Sequence, residues 1–370
     1  MKIDDKTSHN SPSLRFPEFT GEWEKCKIED ITDAVSSGKS KNHFSNGEYN
    51  LYGSTGIIGR TDKALYDGKL VLVARVGANA GFLQIINEPC GITDNTLILK
   101  PKGIDAFYLY YFLQHFNLNR LIFGSGQPLI TGGMLKKVKV SLGTISEQSK
   151  IVKFLSLLDE RIAVQNRLIE DLKKLWCAIV EKMFKQSKAN GRLGDFIEQV
   201  SVRNKNGLYS NVLSVSNKQG FVKQSEQFED RTVASEDTSN YKIVKRNNFA
   251  YNPARINVGS IARLTKFDVG IVSPMYVCFR TKASIIPEYM EAFFTSQQFF
   301  YEMMKRLEGS VRLCLSYEGL CNIPVYIPDM NKQIAMGQNI SLILSKIGLE
   351  IEYLGRLHQQ KQYLLRKMFI

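Results

Sequence analysis

The chain has 370 residues, a formal net charge of +13 and a pI near 9.3, with 44% hydrophobic residues. That length exceeds one ordinary core and fits two domains, the apolar content excludes wholesale disorder, and the positive field suits a polyanionic partner such as nucleic acid. Six scattered cysteines without a C-x-x-C pair and four scattered histidines give a zinc site no ligand cluster, and free thiols suit a reducing cytoplasm.

In chain order, residues 1–13 are polar, lack the apolar centre of a signal peptide and read as a flexible leader. No apolar run approaches the roughly 20 residues that cross a bilayer, so a cytoplasmic protein without membrane contact is expected. Residues 14–141 form a β-rich globular part, in which Leu70–Ala74 and Asn95–Leu99 read as buried strands and Asp105–Phe116 as a helix. Residues 142–186 form a helical spacer. Residues 187–327 repeat the β-rich texture, with strands at Phe249–Asn252 and Met275–Phe279 and a helix near Pro287–Phe300, and residues 328–370 form a second helical spacer.

The second half repeats the first at a fixed offset of 185 residues: Lys182-Met183-Phe184 returns as Lys367-Met368-Phe369, Gly124-Ser125 as Gly309-Ser310, and Gln148 as Gln333. In the first spacer Ile151, Leu155, Leu158, Ile162, Gln165, Ile169, Leu172, Trp176, Ile179 and Met183 follow 4-3-4-3 spacing, the seam of a coiled coil. The same offset gives Met336, Ile340, Ile343, Ile347, Glu350, Leu354, Leu357, Lys361, Leu364 and Met368. Two seams in one chain are expected to pair, and copies facing across a dyad run antiparallel. The fold class is therefore α+β: two β-rich mixed domains separated by two long helices in an antiparallel coiled coil, with pseudo-two-fold symmetry. Residues 151–183 would make a rod of about 50 Å, suited to holding two DNA readers about one to one-and-a-half turns of duplex apart. The polar pair Gln165 and Glu350 reads either as a register-fixing layer or as a solvated edge.

Catalytic motifs fail one by one. Gly38-Lys39-Ser40 would need glycine where Asp33 stands to close a phosphate-binding loop. Asn252-Pro253-Ala254-Arg255 lacks the second proline and the aromatic residue of an amino-methyltransferase, and Pro328-Asp329 with Lys332 lacks a nuclease's second acid. The polar residues of glycine-rich loops are better candidates, since base edges are read by arginine, asparagine, glutamine, lysine and serine. In the first part these are Ser54, Thr55, Arg60, Arg75, Asn79 and Gln127; in the second, Ser216, Lys218, Arg255, Asn257 and Arg312. Arg75 and Arg255 make the preferred pair, because each follows a strand and an alanine. An enzyme with diverged motifs and a coiled-coil adaptor remain as alternatives.

The chain resembles the specificity (S) subunit of type I restriction–modification systems. The resemblance lies in Leu14-Arg15-Phe16-Pro17-Glu18-Phe19 with Gly21-Glu22-Trp23, in Leu51-Tyr52-Gly53-Ser54-Thr55-Gly56-Ile57-Ile58-Gly59, and in Ser146-Glu147-Gln148-Ser149-Lys150-Ile151-Val152 with the Lys-Met-Phe ending. Asn331-Lys332-Gln333-Ile334-Ala335 departs from that pattern at the second helix. The resemblance implies two target-recognition domains, each reading half of an asymmetric, bipartite site in double-stranded DNA, with helices that set the gap. It further implies docking of two modification (M) subunits, which carry S-adenosylmethionine and methylate adenine N6. Two restriction (R) subunits would add ATP- and Mg-dependent translocation and cleavage. This chain itself would bind no cofactor or metal and catalyse nothing.

Overall fold

The computed structural model describes residues 10–41, 46–122, 127–185, 188–217, 219–227, 237–310 and 312–370. The chain divides into two compact units, Met1–Asn166 with Glu352–Ile370, and Arg167–Ile351. Each long helix is split between the units, and the cut obeys the sequence offset: residues 352–370 of the first unit are the copy of residues 167–185 of the second.

In the first unit the strands are β1 (Glu24–Lys27), β2 (Thr32–Ser37), β3 (Tyr49–Gly53), β4 (Gly56–Thr61), β5 (Lys69–Ala74), β6 (Leu83–Asn87), β7 (Cys90–Ile92) and β8 (Thr96–Pro101). Then come α1 (Ala106–Phe116), α2 (Gly132–Lys136), β9 (Lys139–Leu142) and the long helix α3 (Ile145–Lys185). The central sheet runs β2-β8-β5-β6, all antiparallel, beside a three-stranded sheet β4-β3-β7 and the pair β1-β9. Strand β5 reads as unbroken apolar sequence because Leu70 to Ala74 are all buried, so no face needs polar residues. Helix α1 begins where the Asp105 carboxylate accepts the Phe107 N–H at 2.7 Å, and ends at Asn117 in the left-handed region, φ 58°.

The second unit is built to the same plan. Its elements are β10 (Gly191–Arg192), α4 (Leu193–Phe196), β11 (Ile197–Gln199), β12 (Val212–Ser216), β13 (Gly220–Lys223), α5 (Gln224–Gln227), β14 (Lys242–Lys245), β15 (Phe249–Tyr251), β16 (Ile261–Arg263), β17 (Val269–Val272) and β18 (Val277–Thr281). After them come α6 (Pro287–Thr295), α7 (Gln297–Met304), α8 (Tyr317–Cys321), β19 (Pro324–Val325) and α9 (Met330–Met368). The sheet β11-β18-β15-β16 repeats β2-β8-β5-β6, and β10-β19 repeats β1-β9. A second sheet, β13-β12-β17-β14, stands in this unit.

The hydrogen bonds are duplicated with the sequence. Gln148 donates its side-chain amide to the Gly143 carbonyl, as Gln333 does to Pro328, both at 2.9 Å. Thr131 caps α2 through the Met134 N–H, as Ser316 caps α8 through the Gly319 N–H. Lys27 N–H to Asp30 and Arg192 N–H to Asp195 form another matched pair, at an offset of 165, so the second unit carries its extra residues between these points.

Three expectations need correcting. The helix expected at Pro287–Phe300 is two helices, interrupted because Ser296 turns its hydroxyl to cap the Phe299 N–H of α7 at 3.1 Å. The strand expected at Met275–Phe279 starts at Val277, and Tyr276 precedes it in a turn. Of the leader, residues 1–9 lie outside the described residues, but residues 10–13 are tied down: Trp23 N–H donates to the Asn10 carbonyl at 2.9 Å, and the Ser13 hydroxyl reaches the Lys367 carbonyl.

Every one of the twenty seam positions is buried or half-buried. In the first unit Ile151, Leu155, Leu158 and Ile162 share a core with Leu354, Leu357, Leu364 and Met368. The two stretches run antiparallel there, since Asp159 pairs with Lys361 at 2.6 Å while Arg161, further along, lies over the ring of Tyr353. In the second unit Trp176 and Met183 pack with Met336 and Ile340, and Ile169 and Ile347 are buried. Leu172, Ile179 and Ile343 are half-buried. Gln165 is buried, and Glu350 is half-buried and bonded to Lys346.

Candidate nucleic-acid interface

In the first unit the sheet β4-β3-β7 and the sheet containing β5 deliver three loops to one place, around the carbonyl of Asn95. That oxygen accepts the Arg75 N–H at 2.9 Å and the Ser54 hydroxyl at 3.3 Å. The Gln84 amide braces the same turn by donating to the carbonyls of Gly53 and Ser54. The third loop joins through Ile130 N–H to the Arg75 carbonyl and Gly77 N–H to the Pro128 carbonyl. Ser54, Thr55, Arg75, Asn79 and Gln127 are thereby gathered, with Thr55, Asn79 and Gln127 exposed. Arg75 is half-buried, and its Nε is enclosed without a hydrogen-bond partner among the described residues. Arg60 is used differently: it staples the entry to β3, donating to the carbonyls of Gly47 and Glu48. Residues 123–126, expected in the third loop, lie outside the described residues.

Strand β3 is held rigid under its turn. Glu88 accepts from the Asn50 amide at 2.8 Å and the Tyr52 hydroxyl at 2.6 Å, and these bonds hold its carboxyl below the usual range. Burial, with the same carboxylate nearby, pushes the Tyr52 hydroxyl up.

The second unit gathers its own three loops. Ser216 ends β12; the loop 253–259 follows β15; and Glu308 and Cys314 exchange reciprocal backbone bonds at 2.9 and 2.8 Å at the base of the third. Ser260 donates its hydroxyl to the Val215 carbonyl at 3.1 Å, and Leu315 N–H bonds the Pro253 carbonyl at 3.1 Å. Between them lies a recess of about 100 Å³ lined by Ser214, Ser216, Asn217, Asn252, Arg255 and Tyr276. Arg255 and Arg312 are exposed and Asn257 is half-buried; Lys218 lies outside the described residues.

Strand register places the two members of the preferred pair at different positions. Val71 opposes Leu99 as Phe249 opposes Phe279, and Val73 opposes Leu83 as Tyr251 opposes Ile261. At the strand ends, Ala74 N–H bonds the Phe82 carbonyl as Asn252 N–H bonds the Ser260 carbonyl. Loops 75–81 and 253–259 are thus equivalent residue for residue, both closing on a left-handed glycine, Gly81 at φ 87° and Gly259 at φ 89°. Arg75 corresponds to Pro253 and Gly77 to Arg255. Asn79 and Asn257 fall on the same position. The shared Ala-Arg text misled, because it sits two residues out of register. Gln84, Asn95 and Asn252, which shape the loops, were not singled out as readers, and only their place at strand ends could have signalled them.

Among the described residues no cluster of histidine, cysteine, aspartate and glutamate could hold a metal ion, and no helix is long and apolar enough to cross a membrane.

Residues 20–174 match the family described as Type I restriction modification DNA specificity domain. A putative type I specificity subunit of Mycoplasma genitalium is 28% identical over 176 residues, covering 45% of this chain and 46% of that protein. The type I restriction enzyme MjaVIII specificity subunit of Methanocaldococcus jannaschii is 31% identical over 119 residues, covering 31% of this chain and 28% of its own length. The sequence alignments thus span less than half of these curated relatives. The crystal structure of the type I restriction–modification S subunit from M. genitalium superposes with a TM-score of 0.64 at 19% identity, covering 97% of this chain and 99% of that one. A structure from work on assembly and conformational transition of the type I system superposes at 0.54 with 10% identity, covering 95% and 98%. At those identities the likeness is one of fold.

Proposed function

We propose that this chain, whose residues 20–174 match the type I restriction modification DNA specificity domain, is the non-catalytic, DNA-reading subunit of a type I restriction–modification complex. Each unit reads one half of a bipartite asymmetric site, and α3 with α9 sets the gap. The helices dock two modification subunits, which bring S-adenosylmethionine to adenine N6. Two restriction subunits supply the ATP- and Mg-dependent steps.

One observation carries this reading: loops 75–81 and 253–259 stand on equivalent strands and differ at every position except the shared Asn79/Asn257 and Gly81/Gly259. Equal scaffolds with unequal tips suit two unlike half-sites, because the scaffold sets position and the side chains choose bases. The net charge of +13 supplies the attraction to phosphate. The test is methylation mapping of a genome carrying this chain and its modification partner. A split, asymmetric adenine motif is expected. A contiguous or palindromic motif, or methyl transfer by this chain alone, refutes the reading.

A further inference from the structure

A second duplicated feature flanks the loop clusters and involves none of the residues considered so far. In the first unit the guanidinium of Arg120 lies over the ring of Phe116, 5.8 Å from its centre. In the second unit the ammonium of Lys305 lies over the ring of Tyr301, at 3.8 Å. Both couples are separated by four residues, and 116/301 and 120/305 are each 185 apart in number. Both cations are exposed.

Each couple sits against its own copy of the equivalent loop. In the first unit Leu118 and Asn119 close on Gly81, where an added Cβ would stand 3.2 Å from either side chain, and residues 78–83 share a polar recess with 117–119. In the second unit α7 contacts the turn 256–258. Arg120 has no ion pair among the described residues; Lys305 shares Glu302 with Arg306. The Phe116 face leaves the Arg120 charge unneutralised, whereas Lys305 divides its charge between the Tyr301 ring and the Glu302 carboxylate at 2.9 Å.

We infer that Arg120 and Lys305 are equivalent phosphate clamps, each gripping the DNA backbone beside its half-site and fixing how loops 75–81 and 253–259 enter the groove. They position and carry no base preference. The inference rests on the DNA-reading assignment above.

The test uses the chain assembled with its modification subunits and a mixed-sequence duplex, with affinity measured across a salt series. Arg120→Gln and Lys305→Gln are each expected to reduce the slope of log affinity against log salt by about 0.9, the loss of one phosphate contact, and together by about twice that. Arg120→Lys should keep the slope, and the methylated motif should stay unchanged in all three. Unchanged slopes in complexes that bind the duplex, or an altered motif, overturn this inference alone. Failure of the unsubstituted complex to bind any duplex overturns the DNA-reading assignment with it.

Discussion

Replacing Arg15 with alanine tests what anchors the first unit. The Glu147 carboxylate, in the first turn of α3, is fully buried. Arg15 meets it as a fork, Nε to one oxygen at 2.7 Å and a terminal nitrogen to the other at 2.8 Å, while the Trp23 indole N–H adds a third bond at 3.1 Å. Gly143 is required beside it, since a Cβ there would lie 2.3 Å from the carboxylate. Arg15→Ala leaves a buried charge with one neutral donor, a loss of about 3–5 kcal/mol. Trp23 is itself the reporter: with Trp176→Phe as background it is the sole tryptophan, and it is 1% exposed. At urea slopes of roughly 1–3 kcal/mol per molar, the midpoint of its fluorescence transition should fall by about 1–5 M. Arg15→Met with Glu147→Gln removes the charge pair yet keeps an acceptor for Trp23, and should recover most of the loss. A drop below about 1 kcal/mol for Arg15→Ala would refute the reasoning.

Asn79→Ala and Asn257→Ala, at matched loop positions, should each weaken discrimination at one half-site by about 1–3 kcal/mol, read by methylation rates on half-site variants; equal loss on every sequence would make them backbone contacts. Four residues inserted after Gln165 should add about 6 Å of helix and change the preferred gap in the methylated motif; an unchanged gap removes the helices as spacers. His115 packs against Phe369 in the first unit, and burial lowers its pKa. The unfolded chain therefore takes up a proton, near pH 6.5, that the folded unit refuses, so stability is full above about 6.5 and declines as pH falls toward the folded value. The Trp23-reported urea midpoint should drop from about pH 7.5 to about pH 5.5, and His115→Gln should flatten that dependence.

The helices were legible because their constraint is local and periodic: a side chain every three or four residues must face the partner, and both partners lie in this chain. The duplication was legible only where its offset is constant. The offset of 185 holds along the segment from Ile130 to Phe184, while insertions before it shift the register to 165 at β1, hiding the match between loops 75–81 and 253–259. Strands of three to five residues, such as β14 and β17, carry too few side chains to show a period. Arg60, an arginine beside glycines, is ambiguous in sequence until its donors are located, and two of them are bound to backbone carbonyls.

The division of the helices has a consequence for any half of the protein made alone. Residues 352–370 complete the first core, and their sequence copy is 167–185, which lies at the end of the first half itself. A fragment stopping near residue 185 would therefore carry both an open apolar furrow and the ridge that fills it, joined by one continuous helix that cannot fold back on itself. Two such fragments satisfy each other, so the half-length product should be a symmetrical dimer with identical heads.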